Sequence, residues 1–411
     1  MYADRVLIRH QVSDSALRGI PRGNLSDLYP RWMGARDLLL HGRDPYSPEV
    51  TREIQTGYYG RPLDSSRPAD PIDQQAFAYP LYVVFYLAPT VQLRFGIVQR
   101  AFFWILVSIT AASVLFWLRM LGWRAAPCLQ AAMLALSLGN LPVLQALKLQ
   151  QLTLLVAALC AAAMALLVAG HPLTAGILLA LATIKPQLVA PLLLWLGLWS
   201  LGDLRQRYRW AVSFLAGMAI LCTGSEWLLP HWIGRFHEAV LAYQQYAQAI
   251  PTLEALLPSP WGRLVEVLFA AMTAALCLKG FRQPQNTREF QACTCLVLSV
   301  SVLVVPKFAL YNHVLLIPAL LFIARDRAKI WEEGGFVVRS ILIAVAALLT
   351  WPWFSSVVLA GLSYILRQQS LELVWASPLW TLPQLPSAVA ALMLLYTYQR
   401  TFAAPPKPGS S

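Results

Sequence analysis

Residues 101–118 read AFFWILVSITAASVLFWL, a run of apolar residues without a single charge. A helix of about this length spans the hydrocarbon core of a bilayer. The run lacks the alternation of polar and apolar residues that a transmembrane barrel strand requires. Because backbone groups in lipid must be hydrogen-bonded within their own segment, we expect a transmembrane helix here.

Comparable runs recur along the chain, which is 58% hydrophobic and 13% charged, against about 25% charged residues in ordinary soluble domains. The sequence therefore predicts an all-α polytopic membrane protein. We expect roughly eleven spans, near residues 101–118, 127–147, 152–169, 172–184, 186–201, 209–229, 263–281, 291–305, 310–324, 338–357 and 380–398. The two runs that flank Lys185-Pro186 are short, so they form either one long kinked helix or two half-helices.

The distribution of cations predicts the orientation. Arginine and lysine are concentrated in the loops at 119–124, 203–209, 279–288, 325–339 and 400–407. From residue 148 onward, the opposite loops hold only Lys148, Lys185, Arg235, Arg263, Lys307 and Arg367. The positive-inside rule places the first set in the cytoplasm and residues 1–76 outside, in an inner (cell) membrane.

Residues 77–93 are apolar and aromatic but short, and they contain Pro80 and Pro89. A crossing here would invert the orientation of every later span and place the cation-rich loops outside. We therefore expect an interfacial helix. The predicted organisation is an extracytoplasmic segment at 1–100, a helical bundle at 101–398 and a cytoplasmic tail at 399–411.

The charge and the cysteines exclude several classes of function. The net charge of +12 lies mainly in short loops, so nucleic acid is not an expected partner. All six cysteines lie in apolar runs, where they are expected to be small buried residues rather than disulfides or metal ligands. His231 and His237 lack a matched third ligand. We expect neither a metal nor a cofactor.

The polar stretch at residues 26–46 reads SDLYPRWMGARDLLLHGRDPY and precedes the bundle. A carboxylate on a short aromatic-rich segment beside many apolar helices is typical of an enzyme that acts on a lipid-borne substrate at a membrane face. Asp27 is the first candidate. The alternative is that Asp27 or Ser26 only caps the following helix.

Further polar residues gather at span ends on the proposed outer side. They include Lys148, Gln150, Gln151, Lys185, Glu226, His231, His237, Lys307, Tyr311, Asn312 and His313. Polar groups at membrane depth are costly, so their convergence suggests a site. Each lysine could instead extend its ammonium to the interface without any other role.

Several stretches carry a resemblance to a known family. They are the Asp27 to Tyr46 segment, Phe77-Ala78-Tyr79-Pro80, the run from Gly139-Asn140 to Gln150, the span that ends in Lys185-Pro186, and Tyr311-Asn312-His313. In this order they resemble the glycosyltransferase 87 family of GT-C-type polytopic transferases. The resemblance implies an inverting hexosyltransferase, mannosyltransferase-like, that uses a polyprenyl-phosphate sugar on the extracytoplasmic side. The acceptor would be a hydroxyl of a lipid or glycan among membrane lipids.

The resemblance also assigns roles. Asp27 would be the general base, since a sugar phosphate already has a good leaving group and needs no paired acid. The expected substrate-binding residues are Arg31, Arg36, Tyr79, Lys148, Gln150, Lys185, Lys307, Asn312 and His313. Cations among them would hold the phosphate as its negative charge grows.

The chain departs from the family pattern in two places. Such proteins begin with a span before the aspartate loop, and residues 1–26 contain none, so we expect the reading frame to start upstream of Met1. The family often has Gly-Gln where this chain reads Leu149-Gln150.

Two other classes of function compete with a transferase. A transporter or flippase for lipid-linked sugars also suits broken helices and interior cations, but it should show repeated halves and midplane polar residues. A structural scaffold would not require an acid, cations and aromatics to converge.

Overall fold

The structure is a computed structural model that describes residues 2–17, 25–64, 66–67, 70–247, 252–305 and 309–402. Within these ranges the chain is helical and contains no β-strand, which confirms the all-α prediction. Lys307 and most of the predicted tail lie outside the described residues.

Short helices form the N-terminal segment. A π-helical turn at Ala3–Leu7 leads into the first of them, and a 3-10 turn at Ala88–Thr90 follows the last. These helices are α1 (Ile8–Leu17), α2 (Leu28–His41), α3 (Pro48–Tyr59) and α4 (Val83–Leu87).

The remaining helices form the bundle, with a 3-10 helix at Leu310–Leu316 before α16. They are α5 (Phe95–Met120), α6 (Pro127–Gly139), α7 (Leu141–Leu149), α8 (Thr153–Val168), α9 (Pro172–Ala182), α10 (Pro186–Leu201), α11 (Leu204–Leu228), α12 (Trp232–Ala247), α13 (Thr252–Leu256), α14 (Trp261–Gly280), α15 (Arg288–Val304), α16 (Ile317–Glu333), α17 (Phe336–Leu362), α18 (Gln368–Glu372) and α19 (Leu385–Phe402).

Each of the eleven predicted runs is helical, but the number of crossings is not confirmed. In the described part of the chain, four helices are long and apolar enough to cross a membrane: α5, α11, α14 and α17. Adjacent helices α6 and α7 bend by 59° and count as a fifth if they form one broken span. Helices α8, α9 and α10 are apolar but shorter.

Local chemistry explains both helix breaks. Pro186 cannot continue a helix from α9 because its ring removes a donor and disfavours helical backbone in the preceding residue, so α9 and α10 are separate helices. The break before α7 was not expected from the sequence. There Asn140 is extended, and its side chain accepts a hydrogen bond from the N–H of Val143 at 2.9 Å, which caps the new helix.

Helix α2 is fixed against the start of the bundle by aromatic rings. The rings of Tyr29 and Trp32 lie 5.0 and 5.2 Å from that of Phe95, at the start of α5. A Cβ at Gly34 would lie 2.5 Å from Cδ2 of Phe77, so only glycine allows α2 this close to the chain leading into Tyr79. The packing places the Asp27 end of α2 beside Tyr79.

The predicted interfacial run contains only α4 and the 3-10 turn, and neither is long enough to span a bilayer. Leu81, Val83 and Val84 are fully buried within the protein. Asp44 accepts a hydrogen bond from the N–H of Tyr46 at 2.9 Å and pairs with Arg235 of α12 at 2.6 Å. The N-terminal segment and α12 therefore lie at the same end of the bundle.

Candidate active site

The Asp27 loop is attached to the turn between α7 and α8. The N–H of Asp27 donates to the carbonyl of Leu149 at 3.0 Å, and the hydroxyl of Ser26 donates to Oε1 of Gln150 at 2.5 Å. The amide of Gln150 also donates to the carbonyl of Gln99 on α5. Gln150 thus joins three segments of the chain.

The side chain of Asp27 does not cap α2. Asp27 occupies the N-cap position, yet its carboxylate forms no capping hydrogen bond. Instead, Nε2 of Gln151 donates to Oδ2 of Asp27. In the described part of the chain Oδ1 accepts no hydrogen bond, and the side chain is only half-buried. One carboxylate oxygen is therefore available to a substrate.

The surroundings of Asp27 make its carboxylate a stronger base. Burial is the largest cause, and it raises the pKa of Asp27 above the usual aspartate value. The neighbouring Asp73 adds to the rise, while Arg31, Lys185 and the bond from Gln151 oppose it. Asp73 itself is held by the backbone N–H and side-chain amide of Gln75, at 3.1 and 3.0 Å.

Lys185 lies at the break between α9 and α10, and its side chain is buried. Its Nζ donates to Oε1 of Gln151 at 2.8 Å and to Oγ1 of Thr153 at 2.7 Å. The same nitrogen is 5.1 Å from the ring centre of Tyr311 and 5.7 Å from that of Tyr79. Within the described residues, the ammonium has no carboxylate partner in an ion pair.

Two tyrosines of the N-terminal segment stabilise this break. The hydroxyl of Tyr82 donates to the carbonyl of Thr183 at 2.9 Å, and the hydroxyl of Tyr86 donates to that of Leu181 at 2.7 Å. The last carbonyls of a helix have no partner within the helix, and here the tyrosines supply one. They also connect α4 and the residue before it to the segment that carries Lys185.

Arg31 is the second cation of the site. Its guanidinium carbon lies 4.6 Å from the ring centre of Tyr79, and Nη1 donates to the carbonyl of Asp27. Its Nε is buried and forms no hydrogen bond within the described residues. Burial favours the neutral phenol of Tyr79, but Lys185 and Arg31 outweigh it and lower the pKa of Tyr79. The ring thus lies between two cations.

Several predicted residues lie elsewhere. Lys148 is exposed on α7 and donates to Oε1 of Gln11 at 2.6 Å. Arg36 donates to the carbonyl of Val91 at 2.8 Å and stacks on Trp32, so it connects α2 to the residue that follows the 3-10 turn. Lys307 falls outside the described residues. Asn312 and His313 are buried in the 3-10 helix directly after Tyr311.

The sequence did not predict a role in substrate binding for three residues of this cluster. Thr153 has no distinguishing pattern, and Asp73 lies in an irregular loop. Gln151 is in the polar set but was not predicted to bind substrate. The left-handed residue of this turn is Gln150, with φ of 50°.

A sequence model of glycosyltransferase family 87 matches residues 77–306, more than half of the chain. The chain belongs to glycosyltransferase family 87. The match includes Tyr79, Gln151 and Lys185, whereas Asp27 and His313 lie outside it. No curated protein matches the chain. This family 87 chain is therefore a membrane glycosyltransferase by its family and its apolar helices.

In the ranges that the structure describes, no three side chains among His, Cys, Asp and Glu could hold an ion together. His231 and Glu226 meet through the N–H of His231, which donates to Oε1 of Glu226 at 2.7 Å.

Proposed function

We propose that this family 87 protein transfers a hexose, mannose by its resemblance, from a polyprenyl-phosphate donor to a hydroxyl of a lipid or glycan. The observation that carries the proposal is the Asp27–Gln151–Lys185 chain, in which one amide contacts both a carboxylate and an ammonium. An acid-base group and a phosphate-binding group are thereby held side by side without neutralising each other.

The two cations of the cluster suit an anionic donor. Lys185 and Arg31 supply positive charge around Tyr79, and the carboxylates of Asp27 and Asp73 lie near them. A polyprenyl-phosphate sugar carries a single negative charge on a phosphodiester, and a lysine ammonium and an arginine guanidinium are the groups that bind such a phosphate.

The proposed reaction has one displacement step. Asp27 accepts the proton of the acceptor hydroxyl through its Oδ1 as the oxygen forms a bond to the anomeric carbon. The bond from that carbon to the phosphate oxygen breaks, and the phosphate leaves with the electron pair. Lys185 and Arg31 stabilise the charge that develops on the phosphate. Attack from the face opposite the phosphate inverts the anomeric configuration.

The cation pattern supports the extracytoplasmic side of the cell membrane for this site. Asp27 and Arg235 belong to one end of the bundle, where the loops from residue 148 onward hold few cations. The opposite end holds Arg207, which donates to the carbonyls of Phe281 and Arg282. The positive-inside rule assigns that second end to the cytoplasm.

The test uses purified protein in liposomes with polyprenyl-phosphate mannose as the donor. We expect a mannosylated lipid or glycan whose new linkage has the anomeric configuration opposite to that of the donor, and no product from a nucleotide sugar. The flippase alternative predicts that the donor crosses the bilayer and that neither sugar donor gives a product. Movement of labelled donor across the bilayer without any new glycosidic bond would overturn the proposal.

A further inference from the structure

Chemistry fixes the orientation of the Gln151 amide. A lysine ammonium can only donate hydrogen bonds, so the group that Lys185 contacts at 2.8 Å must be the amide oxygen. The NH₂ group then faces Asp27 and donates to Oδ2. The N–H of Gln151 donates to the carbonyl of Ala146 at 2.8 Å, which anchors the residue at the end of α7.

We infer that Gln151 is a positioning residue that separates the Asp27 carboxylate from the Lys185 ammonium, so that one can take the acceptor's proton and the other can hold the donor's phosphate. This inference rests on the proposed function. A direct ion pair between the two side chains would favour the ionised carboxylate and weaken it as a base. It would also occupy the cation that the phosphate needs.

The neighbours of Lys185 support the separation. Its ammonium has three donors, of which Gln151 takes one and Thr153 takes another at 2.7 Å. Tyr79 also contacts the ammonium, and the guanidinium of Arg31 lies over its ring. No hydrogen bond of Lys185 reaches Asp27 within the described residues, and Oδ1 of Asp27 accepts none there.

Groups from several elements lie near Asp27 and interact with it electrostatically. They are Arg31 on α2, Tyr58 and Tyr59 on α3, Asp73 and Tyr79 in the following loop, Lys185 at the α9–α10 break, and Tyr311. Replacing Gln151 alone leaves the identity of all these groups unchanged. A change in the pH profile of a Gln151 variant can thus be assigned to the lost amide.

The experiment compares Gln151→Leu and Gln151→Glu with the unchanged protein, using polyprenyl-phosphate mannose over a range of pH. The amide N–H favours the ionised form of Asp27, so its loss in Gln151→Leu raises the pKa of the base. We expect the acid limb of kcat/KM to move to higher pH and the rate at neutral pH to fall about ten- to hundred-fold.

The two variants should differ in a second respect. In Gln151→Glu a second carboxylate faces Asp27, so the acid limb should move further than in Gln151→Leu. The new carboxylate also pairs with Lys185, so KM for the donor should rise as well. Because glutamate has nearly the shape of glutamine, this variant keeps the test open if Gln151→Leu does not fold.

Controls separate the possible failures. Gln145→Leu changes a half-buried amide one to two turns earlier on α7 and should keep the normal pH profile. If Asp27→Asn is fully active, the proposed function itself fails. If Asp27→Asn is inactive while both Gln151 variants lower kcat without moving the acid limb, Gln151 is merely structural and the inference is wrong.

Discussion

Two buried polar clusters lie near opposite ends of α5, and they treat their carboxylates differently. At the cluster near Met120, Asp326 pairs directly with Arg325 at 2.9 Å and with Arg288 at 3.5 Å, and the hydroxyl of Tyr396 donates to it at 3.1 Å. At the cluster near Phe95 and Gln99, an amide stands between Asp27 and Lys185. About 20 residues of helix, roughly 30 Å, separate them.

Both clusters contain a glutamine, and its position makes the difference. Gln291 accepts a hydrogen bond from Arg325 at 2.8 Å and donates to the carbonyl of Met120 at 3.2 Å, so it adds a contact to charges that are already paired. Gln151 instead lies between the charges. Direct pairing compensates each charge within the protein, whereas separated charges in a buried place leave two groups ready for a substrate.

The largest expected effect is on stability, at the directly paired cluster. Replacing the buried Asp326 with Asn leaves Arg325, whose side chain is only 12% exposed, without its counter-charge, so we expect the free energy of unfolding to fall by about 3 to 5 kcal/mol. Thermal melting in detergent measures the change. The matched control is Glu333→Gln, which removes an exposed pair with Arg400 and should change stability by less than about 1 kcal/mol. Equal melting temperatures for both variants would contradict the comparison.

The next effect is smaller and concerns donor use at the separated cluster. Replacing Lys185 with Gln removes a charged hydrogen bond to the phosphate, so we expect kcat/KM for polyprenyl-phosphate mannose to fall by about one to two decades. Lys148→Gln is the control, because that lysine is exposed and bonded to Gln11. If both variants transfer sugar normally, Lys185 has no part in donor binding.

Much of this fold was predictable because apolar length and proline are strong local signals. The run at 101–118 became α5, and Pro186 separated α9 from α10 as its chemistry requires. The break at Asn140 was missed because the apolar pattern continues through it and the side-chain cap depends on local geometry. The number of crossings could not be predicted from runs that are shorter than a bilayer.

The candidate site was less predictable because it depends on side-chain direction. Lys148 and Lys185 look alike in the sequence, yet one points to solvent and the other into the protein. The left-handed turn at Gln150 decides which of two adjacent glutamines faces Asp27. Asp73 lies near the site because of the path of its irregular loop, and no residue spacing in the sequence indicates that position. The Asp326 cluster was seen only as part of a cytoplasmic cation bias.

The most direct test of the central claim is glycosyl transfer by Asp27→Asn, measured with polyprenyl-phosphate mannose in liposomes beside donor binding and thermal melting. Asn keeps the shape and can still accept a hydrogen bond from Gln151, but it cannot take a proton. We expect normal melting and donor binding with transfer reduced by about two to four decades, the usual range for loss of a positioned base. Near-normal transfer by this variant would remove Asp27 from the mechanism and contradict the account.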